Sequence, residues 1–211
     1  MDGLLLDTER LCMKAFIRTG EDFGLTGEID LNAVFLSCIG HRADISDAII
    51  ADALGNRLPI KTFTDAWDKL LVDVYGTGVP VKAGAAEMLG ALGDLGIPVA
   101  VATSTRTTRA LEHLEDVGLL PLIQVVVGGD QVVRPKPAPE VYDKAAAMLG
   151  LKAAHCVAFE DSDTGTMAAV ASGARTVQVP DLKGPSAETV ALGHIIAPDL
   201  MTGARQAGLP V

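Results

Sequence analysis

Aromatic side chains, cysteines and basic charge are all scarce in this sequence. Only 4% of its 211 residues are aromatic, and its three cysteines, Cys12, Cys38 and Cys156, are widely spaced and outside any C-x-x-C pattern. Such a set argues against a disulfide framework or a zinc site and predicts reduced thiols in the cytosol. With 17 basic against 27 acidic residues and a formal net charge of -10, a surface for nucleic acid or anionic membrane is disfavoured electrostatically.

Long hydrophobic runs are missing as well. No apolar stretch approaches the ~20 residues of a membrane span, and no basic-then-apolar signal peptide begins the chain. We therefore expect a soluble, cytoplasmic protein. Aliphatic residues, in contrast, are abundant. Hydrophobic residues make up 49% of the chain and few of them are aromatic, a composition typical of helices packed on a buried sheet. The length allows one domain, or one domain with a smaller insert.

From Pro80 onward, continuous apolar runs alternate with helical patterns. Continuous runs are typical of strands buried on both faces. The predicted strands are Ile97–Thr103, Leu122–Gly128, His155–Glu160 and Arg175–Pro180. The predicted helices are Ala85–Leu95, Thr107–Asp116, Pro139–Leu149 and Thr166–Ser172. This order predicts an α/β fold with an open, Rossmann-like parallel sheet and right-handed crossovers.

The segment from about Leu11 to Tyr75 carries no buried-strand run. Instead LCMKAFIRTG, HRADISDAIIADAL and FTDAWDKLLVDVY have apolar positions three and four residues apart, which predicts helices. We therefore divide the chain into a core of residues 1–10 and 76–211 and a helical insert of residues 11–75. The Gly-, Pro- and Val-rich GTGVPVKAG is the predicted return hinge.

Polar residues follow the predicted strands, at the sheet edge where ligands of open α/β folds bind. They are Thr103-Ser104-Thr105, Lys136 between two prolines, and the acid pair Glu160-Asp161, joined by Asp2 at the chain start. Each has an ordinary explanation: hydroxyls cap helices, loop lysines are solvated, and acids favour a helix N-terminus. Adjacent carboxylates are, however, costly without a cation. Together the residues predict one phosphate and Mg²⁺ site.

These motifs resemble those of the haloacid dehalogenase superfamily, in particular its phosphatases of the β-phosphoglucomutase and phosphoglycolate phosphatase type with a helical cap. The resemblance runs along the whole chain. MDGLLLDTE is similar to the tail of the first family motif, D-x-D-G-x-x-x-D-[ST]-E; VATST resembles the second, RPKPAPEVY the third and AFEDSDTGTMAAVASGA the fourth. The third and fourth motifs are the specific ones.

The resemblance implies a role for each matching residue. Asp2 would be the general acid and base, with its main-chain carbonyl helping to bind Mg²⁺. Thr103, with Ser104 beside it, would bind phosphate, and Lys136 would neutralise the transferring phosphoryl group. Glu160 and Asp161 would be the metal-binding acids.

The resemblance also makes residues 11–75 the cap, whose closure would exclude water and read the leaving group. Within it, CIGHR places Gly40 and Arg42 where cap loops of this group contact substrate. The substrate implied is a small phosphorylated metabolite that the sequence does not name, and the sequence carries no signal for oligomeric state.

One departure from the family pattern concerns the nucleophile, which is the first aspartate of D-x-D and would lie two residues before Asp2. The apolar strand that precedes it, central in the family's sheet, is missing too. We expect Met1 to be the residue between the two motif aspartates and the natural chain to start further upstream. Without that strand, two inner sheet edges would be left unpaired.

Three alternatives to a Mg²⁺-dependent phosphatase stay open. The chain could be a catalytically impaired phosphate-binding or interaction protein of the same fold, since the other ligands are present. It could be a sugar-phosphate mutase, although mutases of this group carry a His where this chain has Cys12, which favours a phosphatase. A receiver-type signalling domain would be shorter, at roughly 120 residues without an insert. Dehalogenases of the superfamily lack the acid pair.

Overall fold

The computed structural model describes residues 1–39, 43–76 and 78–211. Contacts divide the chain into two compact units. The first joins Met1–Asp7 to Pro80–Val211, and the second is Thr8–Val79. Gly40 and Arg42, the predicted cap residues, lie outside the described residues. No helix of the described chain is both long and apolar enough to cross a membrane.

The second unit is helical over its described residues, as the periodicity predicted. Its helices are α1 (Thr8–Asp22), α2 (Leu31–Cys38), α3 (Ala43–Leu54) and α4 (Ile60–Gly76). Much of the scarce aromatic content gathers here, because Phe16 packs against Phe35, Phe63 and Trp67 with ring centroids 4.9 to 5.5 Å apart. Helix α2 was not among the predicted helices; the carboxylate of Asp30 caps it by accepting the N–H of Ala33.

The first unit alternates helices and parallel strands. In chain order its elements are α5 (Ala85–Asp94), β1 (Ala100–Ala102), α6 (Thr107–Asp116), β2 (Val125–Val127), α7 (Glu140–Met148), β3 (Val157–Glu160), α8 (Asp163–Ala171), β4 (Arg175–Gln178), α9 (Ala187–Val190), β5 (Ile195–Ile196) and α10 (Leu200–Gln206). The predicted α/β class with parallel strands is confirmed.

Several predicted boundaries were wrong by a few residues. The strands are shorter than the apolar runs that predicted them; Leu120–Leu122, for example, forms a 3-10 turn before β2 begins. The apolar runs extend beyond the strands because residues outside a strand can also be buried in the core. A strand itself ends where hydrogen bonding to its partner strand ends. Helix α8 starts at Asp163 rather than Thr166, because Ser162 caps it. The short α9, β5 and α10 were not predicted.

The strands form two separate sheets, with orders β1-β2 and β3-β4-β5. Among the described residues, β1 pairs only with β2, and β3 pairs only with β4. Between β1 and β3 lies a cavity of about 260 Å³ whose lining is mostly aliphatic. Residues of both strands line it, as do Met1, Leu4 and Leu5. Within the described residues, the edges of β1 and β3 that have no strand partner therefore border one apolar cavity.

Candidate active site

The carboxyl ends of β1 and β3 are joined through one buried ammonium group. The Nζ of Lys136 donates hydrogen bonds to the carbonyl of Ala102, 3.1 Å away, and to Oε1 of Glu160, 2.5 Å away. Ala102 ends β1 and Glu160 ends β3. The side chains of Lys136 and Glu160 are only 11% and 6% exposed, so this lysine is not the solvated loop residue of its ordinary explanation.

Glu160 is held in its ionised form by the surrounding donors. Burial by itself raises the pKa of a carboxyl group, but the Lys136 ammonium, the N-terminal ammonium of Met1, and hydrogen bonds from Lys136 and Tyr142 bring the pKa of Glu160 below its usual value. A buried ion pair of this kind is costly to break from one side, because the remaining charge is then unpaired. The pair therefore fixes the positions of both head groups.

Tyr142 is the last residue of the third motif, RPKPAPEVY, and the family resemblance implies no role for it. Its hydroxyl donates to Oε1 of Glu160 and lies 3.5 Å from Nζ of Lys136, whose ammonium is 5.0 Å from the ring centroid. Burial and the Glu160 charge raise the pKa of Tyr142 well above its usual value, so the hydroxyl keeps its proton and stays a donor. Tyr142 lies six residues after Lys136, in the first turns of α7. This short spacing is the sequence feature that could have indicated its role.

The hydroxyl-rich loop after β1 connects the first strand end to Asp2. Thr103 is buried, and its Oγ1 accepts the N–H of Thr105 at 3.1 Å. The Oγ1 of Thr105 in turn donates to Oδ2 of Asp2 at 2.8 Å. Because Thr103 directly follows Ala102, which accepts from Lys136, four predicted residues (Asp2, Thr103, Lys136, Glu160) meet at one sheet edge.

The remaining predicted residues are at the margin of this cluster. Ser104 is exposed beside Thr103, and Asp161 is half-buried and follows Glu160 directly. In the part of the chain that the structure describes, no group of three or more His, Cys, Asp or Glu side chains is gathered closely enough to hold a metal by itself.

Two residues that were not predicted from the sequence, Gly129 and Asp130, shape the loop after β1. Asp130, after β2, accepts from both the backbone N–H and Oγ1 of Thr107 at 2.7 and 2.8 Å, and so caps α6 from outside. These bonds lower the pKa of Asp130. A side chain on Gly129 would put its Cβ 2.5 Å from the carbonyl oxygen of Ser104, so a glycine is needed for this close approach.

Glycine is needed beside Glu160 as well. Gly165, in the first turns of α8, lies against the Glu160 carboxylate so closely that any Cβ there would overlap it. The N–H of Gly165 donates to Oγ of Ser162, which lies 3.4 Å from Oε2 of Glu160. The fourth motif therefore contains Glu160, the helix cap Ser162 and Gly165 because these three residues pack against one another.

A part-buried lysine, a buried acid and a hydroxyl-rich loop thus meet at the carboxyl edge of the parallel strands, which is where ligands of open α/β folds bind. The sequence profile of the haloacid dehalogenase-like hydrolase family matches residues 1–179, and the chain belongs to that family. The resemblance read from the four motifs is confirmed.

Relatives and solved structures agree with this assignment. The chain is 32% identical over 173 residues to the phosphorylated carbohydrates phosphatase of Thermotoga maritima, covering 82% of this chain and 79% of that protein. It is 31% identical over 183 residues to the fructose-1-phosphate phosphatase of Escherichia coli, covering 85% and 93%. The crystal structure of a family hydrolase from Deinococcus radiodurans with bound phosphate and sodium has a TM-score of 0.83 at 29% identity, over 99% and 93% of the two chains. These phosphatases confirm the expected class of enzyme, a phosphoric monoester hydrolase of this superfamily.

Proposed function

We propose that this chain hydrolyses the phosphate monoester of a small metabolite, with phosphorylated carbohydrates as the substrate class, through an aspartyl-phosphate. The observation that carries the proposal is the meeting of Lys136, Glu160 and the Thr103 loop at one sheet edge, with Asp2 tied to that loop through Thr105. The names of the phosphatase relatives support the substrate class.

In the proposed reaction, the nucleophile is an aspartate two residues before Asp2, in a segment upstream of Met1. Its carboxylate oxygen attacks phosphorus, the bond from phosphorus to the leaving oxygen breaks, and Asp2 donates a proton to that oxygen. Asp2 then takes a proton from water as the water oxygen attacks phosphorus, and the acyl-phosphate bond breaks to release inorganic phosphate. Lys136 and Thr103 stabilise the charge on the phosphoryl oxygens.

The cavity between β1 and β3 supports an upstream segment. It is apolar, it lies between two strand edges that have no other strand partner in the described residues, and Met1 is part of its lining. A strand that ended beside Met1 would bring its last residues next to Lys136 and Asp2.

Glu160 and Asp161, with the main-chain carbonyl of Asp2, are the residues that would hold Mg²⁺. Their chemistry fits this ion, because Mg²⁺ takes oxygen ligands and commonly uses one or two carboxylates together with substrate phosphate oxygens. Two adjacent acids of which one is buried also repel each other less when a cation is near. When bound, Mg²⁺ would neutralise charge on the phosphoryl group.

The decisive experiment compares the 211-residue chain with a chain extended by the in-frame codons upstream of Met1. We expect the extended chain alone to hydrolyse an aryl phosphate and at least one sugar phosphate, to require Mg²⁺, and to lose about 100-fold or more in kcat when the upstream aspartate is changed to Asn. A stop codon directly upstream, without an apolar run ending in Asp, would contradict the proposal.

Two other outcomes have their own signatures. Phosphate binding without turnover in the extended chain would make the protein a non-catalytic phosphate binder. Conversion of a hexose 1-phosphate into its 6-phosphate, without net release of phosphate, would make it a mutase. The presence of Cys12 at the position where mutases of the group carry His favours hydrolysis over the mutase reaction.

A further inference from the structure

The hydroxyl of Thr105 does not cap the helix that follows it. Helix capping is the ordinary explanation for hydroxyls after a strand. Helix α6 begins at Thr107 without a cap bond from the side chain of its own N-cap residue, Arg106, and the carboxylate of Asp130 accepts the N–H of Thr107 instead. The Thr105 hydroxyl is therefore available for a different contact.

That contact is with the carboxylate of Asp2. The Oγ1 of Thr105 donates to Oδ2 of Asp2 at 2.8 Å, although the two residues are 103 positions apart in the chain. Both residues are half-buried. Within the described residues this is the one hydrogen bond of the Asp2 carboxylate, and its Oδ1 accepts none. The two carboxylate oxygens thus have different surroundings.

Thr105 is held in place through its backbone. Its N–H donates to Oγ1 of Thr103 at 3.1 Å, and its carbonyl accepts the N–H of Gly129 at 3.0 Å. Gly129 lies so close to Ser104 that a Cβ on it would be 2.5 Å from the Ser104 carbonyl oxygen. The loops after β1 and β2 are therefore packed together, and Thr105 is a donor in a fixed position.

The backbone of Asp2 is fixed as well, because it lies in a tight turn. Three successive N–H groups, those of residues 4–6, donate to the carbonyl of Met1 at 2.8 to 3.3 Å. The Asp2 side chain, in contrast, can rotate about χ1 between staggered positions. Since Thr105 is its hydrogen-bond partner in the described chain, a single hydroxyl sets the direction of the carboxylate.

We propose that Thr105 is the positioning residue for Asp2 and that proton transfer uses Oδ1 of Asp2, an inference that rests on the proposed function. Oδ2 keeps the hydrogen bond from Thr105 throughout. Protonated Asp2 donates the Oδ1 proton to the leaving oxygen as the bond from phosphorus to that oxygen breaks, and the ionised Oδ1 later takes a proton from the attacking water. The Thr105 donor also stabilises the carboxylate that exists between the two transfers.

The first test does not depend on turnover. The 211-residue chain is isotope-labelled for NMR at the side-chain carboxyl carbon of aspartate, and the Asp2 signal is assigned by its loss in Asp2→Asn. Thr105→Val keeps the shape of the side chain without the hydroxyl, and we expect it to shift the Asp2 signal at neutral pH. Thr105→Ser keeps a donor and should leave the signal near its wild-type position. Thr107→Val is the control, because it removes a neighbouring hydroxyl that bonds to Asp130 and not to Asp2.

The second test uses the extended chain and two substrates that differ in their need for an acid. The leaving oxygen of a sugar phosphate must be protonated, whereas p-nitrophenyl phosphate releases a stable anion. We expect Thr105→Val to lower kcat/KM about tenfold or more for a sugar phosphate and about twofold at most for p-nitrophenyl phosphate. Thr105→Ser should recover most of the loss, and Thr107→Val should leave the ratio of the two kcat/KM values unchanged. Urea denaturation checks that each variant folds, and Thr105→Ala replaces Thr105→Val if that variant does not.

Three results would each overturn the proposal. They are an unchanged Asp2 signal in Thr105→Val, an equal fall of kcat/KM for both substrates, and no recovery in Thr105→Ser. An equal fall would mean that Thr105 supports the loop and not the acid. A wild-type extended chain that hydrolyses neither substrate would instead refute the proposed function, and the Asp2 signal would still decide whether Thr105 orients the carboxylate.

Discussion

Gly165 has no side chain and so leaves the space that the Glu160 carboxylate occupies. The Glu160 carboxylate lies directly over this glycine, so Gly165→Ala should push the carboxylate off Lys136 and Tyr142. We expect a loss of about 1–3 kcal/mol in the free energy of unfolding, as for other overpacked sites, measured by urea denaturation. Gly90→Ala is the control: Gly90 lies in α5 with nothing within 4 Å of a new Cβ, and alanine should stabilise the protein by about 0.5–1 kcal/mol.

Tyr142 joins the two halves of the core at the scale of one residue. It packs against the cluster of Val127, Val141 and Ala145 and against the cluster that contains Ala158 and Ala169. Tyr142→Phe should cost about 1.5–3 kcal/mol, because the hydrogen bonds of the hydroxyl with the charged Glu160 and Lys136 are lost. Tyr142→Leu should cost more, since ring packing is lost too. No loss for Tyr142→Phe in urea denaturation would show that the hydroxyl contributes nothing to stability.

At the scale of single elements, the N-terminus of α8 couples helix stability to the site. Ser162 caps α8 and also lies beside Glu160. Ser162→Ala should lower the free energy of unfolding by about 1 kcal/mol and, in the extended chain, should raise the Mg²⁺ concentration needed for half-maximal activity. Ser186→Ala is matched, because Ser186 caps α9 in the same way but does not contact Glu160. A shift in Mg²⁺ requirement in both variants would contradict a specific role for Ser162.

The positions of most helices were predictable, whereas the ends of the strands were not. Thr107–Asp116 was predicted with its observed bounds, because its apolar spacing and the following Gly118 are local signals. Strand β1 is only Ala100–Ala102, although Ile97–Thr103 reads as one apolar run, because the length of a strand depends on a partner distant in sequence. Helix α2 was missed for a related reason: its burial, through Leu31 and Phe35, is decided by neighbouring helices.

The pH dependence of stability belongs to the whole molecule, because several carboxyl groups contribute to it. Burial raises the pKa of Asp163, but hydrogen bonds from Ser186 and Gln178 outweigh it, and the net pKa is lowered. The pKa of Glu160 is lowered as well. Groups whose folded pKa is below the unfolded value stabilise the protein above the unfolded pKa, and that stabilisation is lost as the pH falls through the folded pKa.

We therefore expect the free energy of unfolding to fall as the pH drops below the ordinary carboxyl values of 4.5 and 3.8, with little change between pH 5 and 7 from these groups. Urea denaturation at pH 7, 5, 4 and 3 measures the loss. Asp163→Asn should give a shallower decline, because one contributing carboxyl group is removed. A flat profile from pH 5 to 3 would contradict the expectation.

The sequence by itself determined the α/β class, the helical insert and the four motifs, because periodicity, composition and short motifs are local properties of the chain. Only the tertiary structure decided that Lys136 joins the ends of β1 and β3, that Tyr142 donates to Glu160, and that Thr105 links Asp2 to the hydroxyl-rich loop after β1. These contacts join residues up to 103 positions apart. Their geometry depends on how the helices pack the strand ends together, which no local pattern encodes.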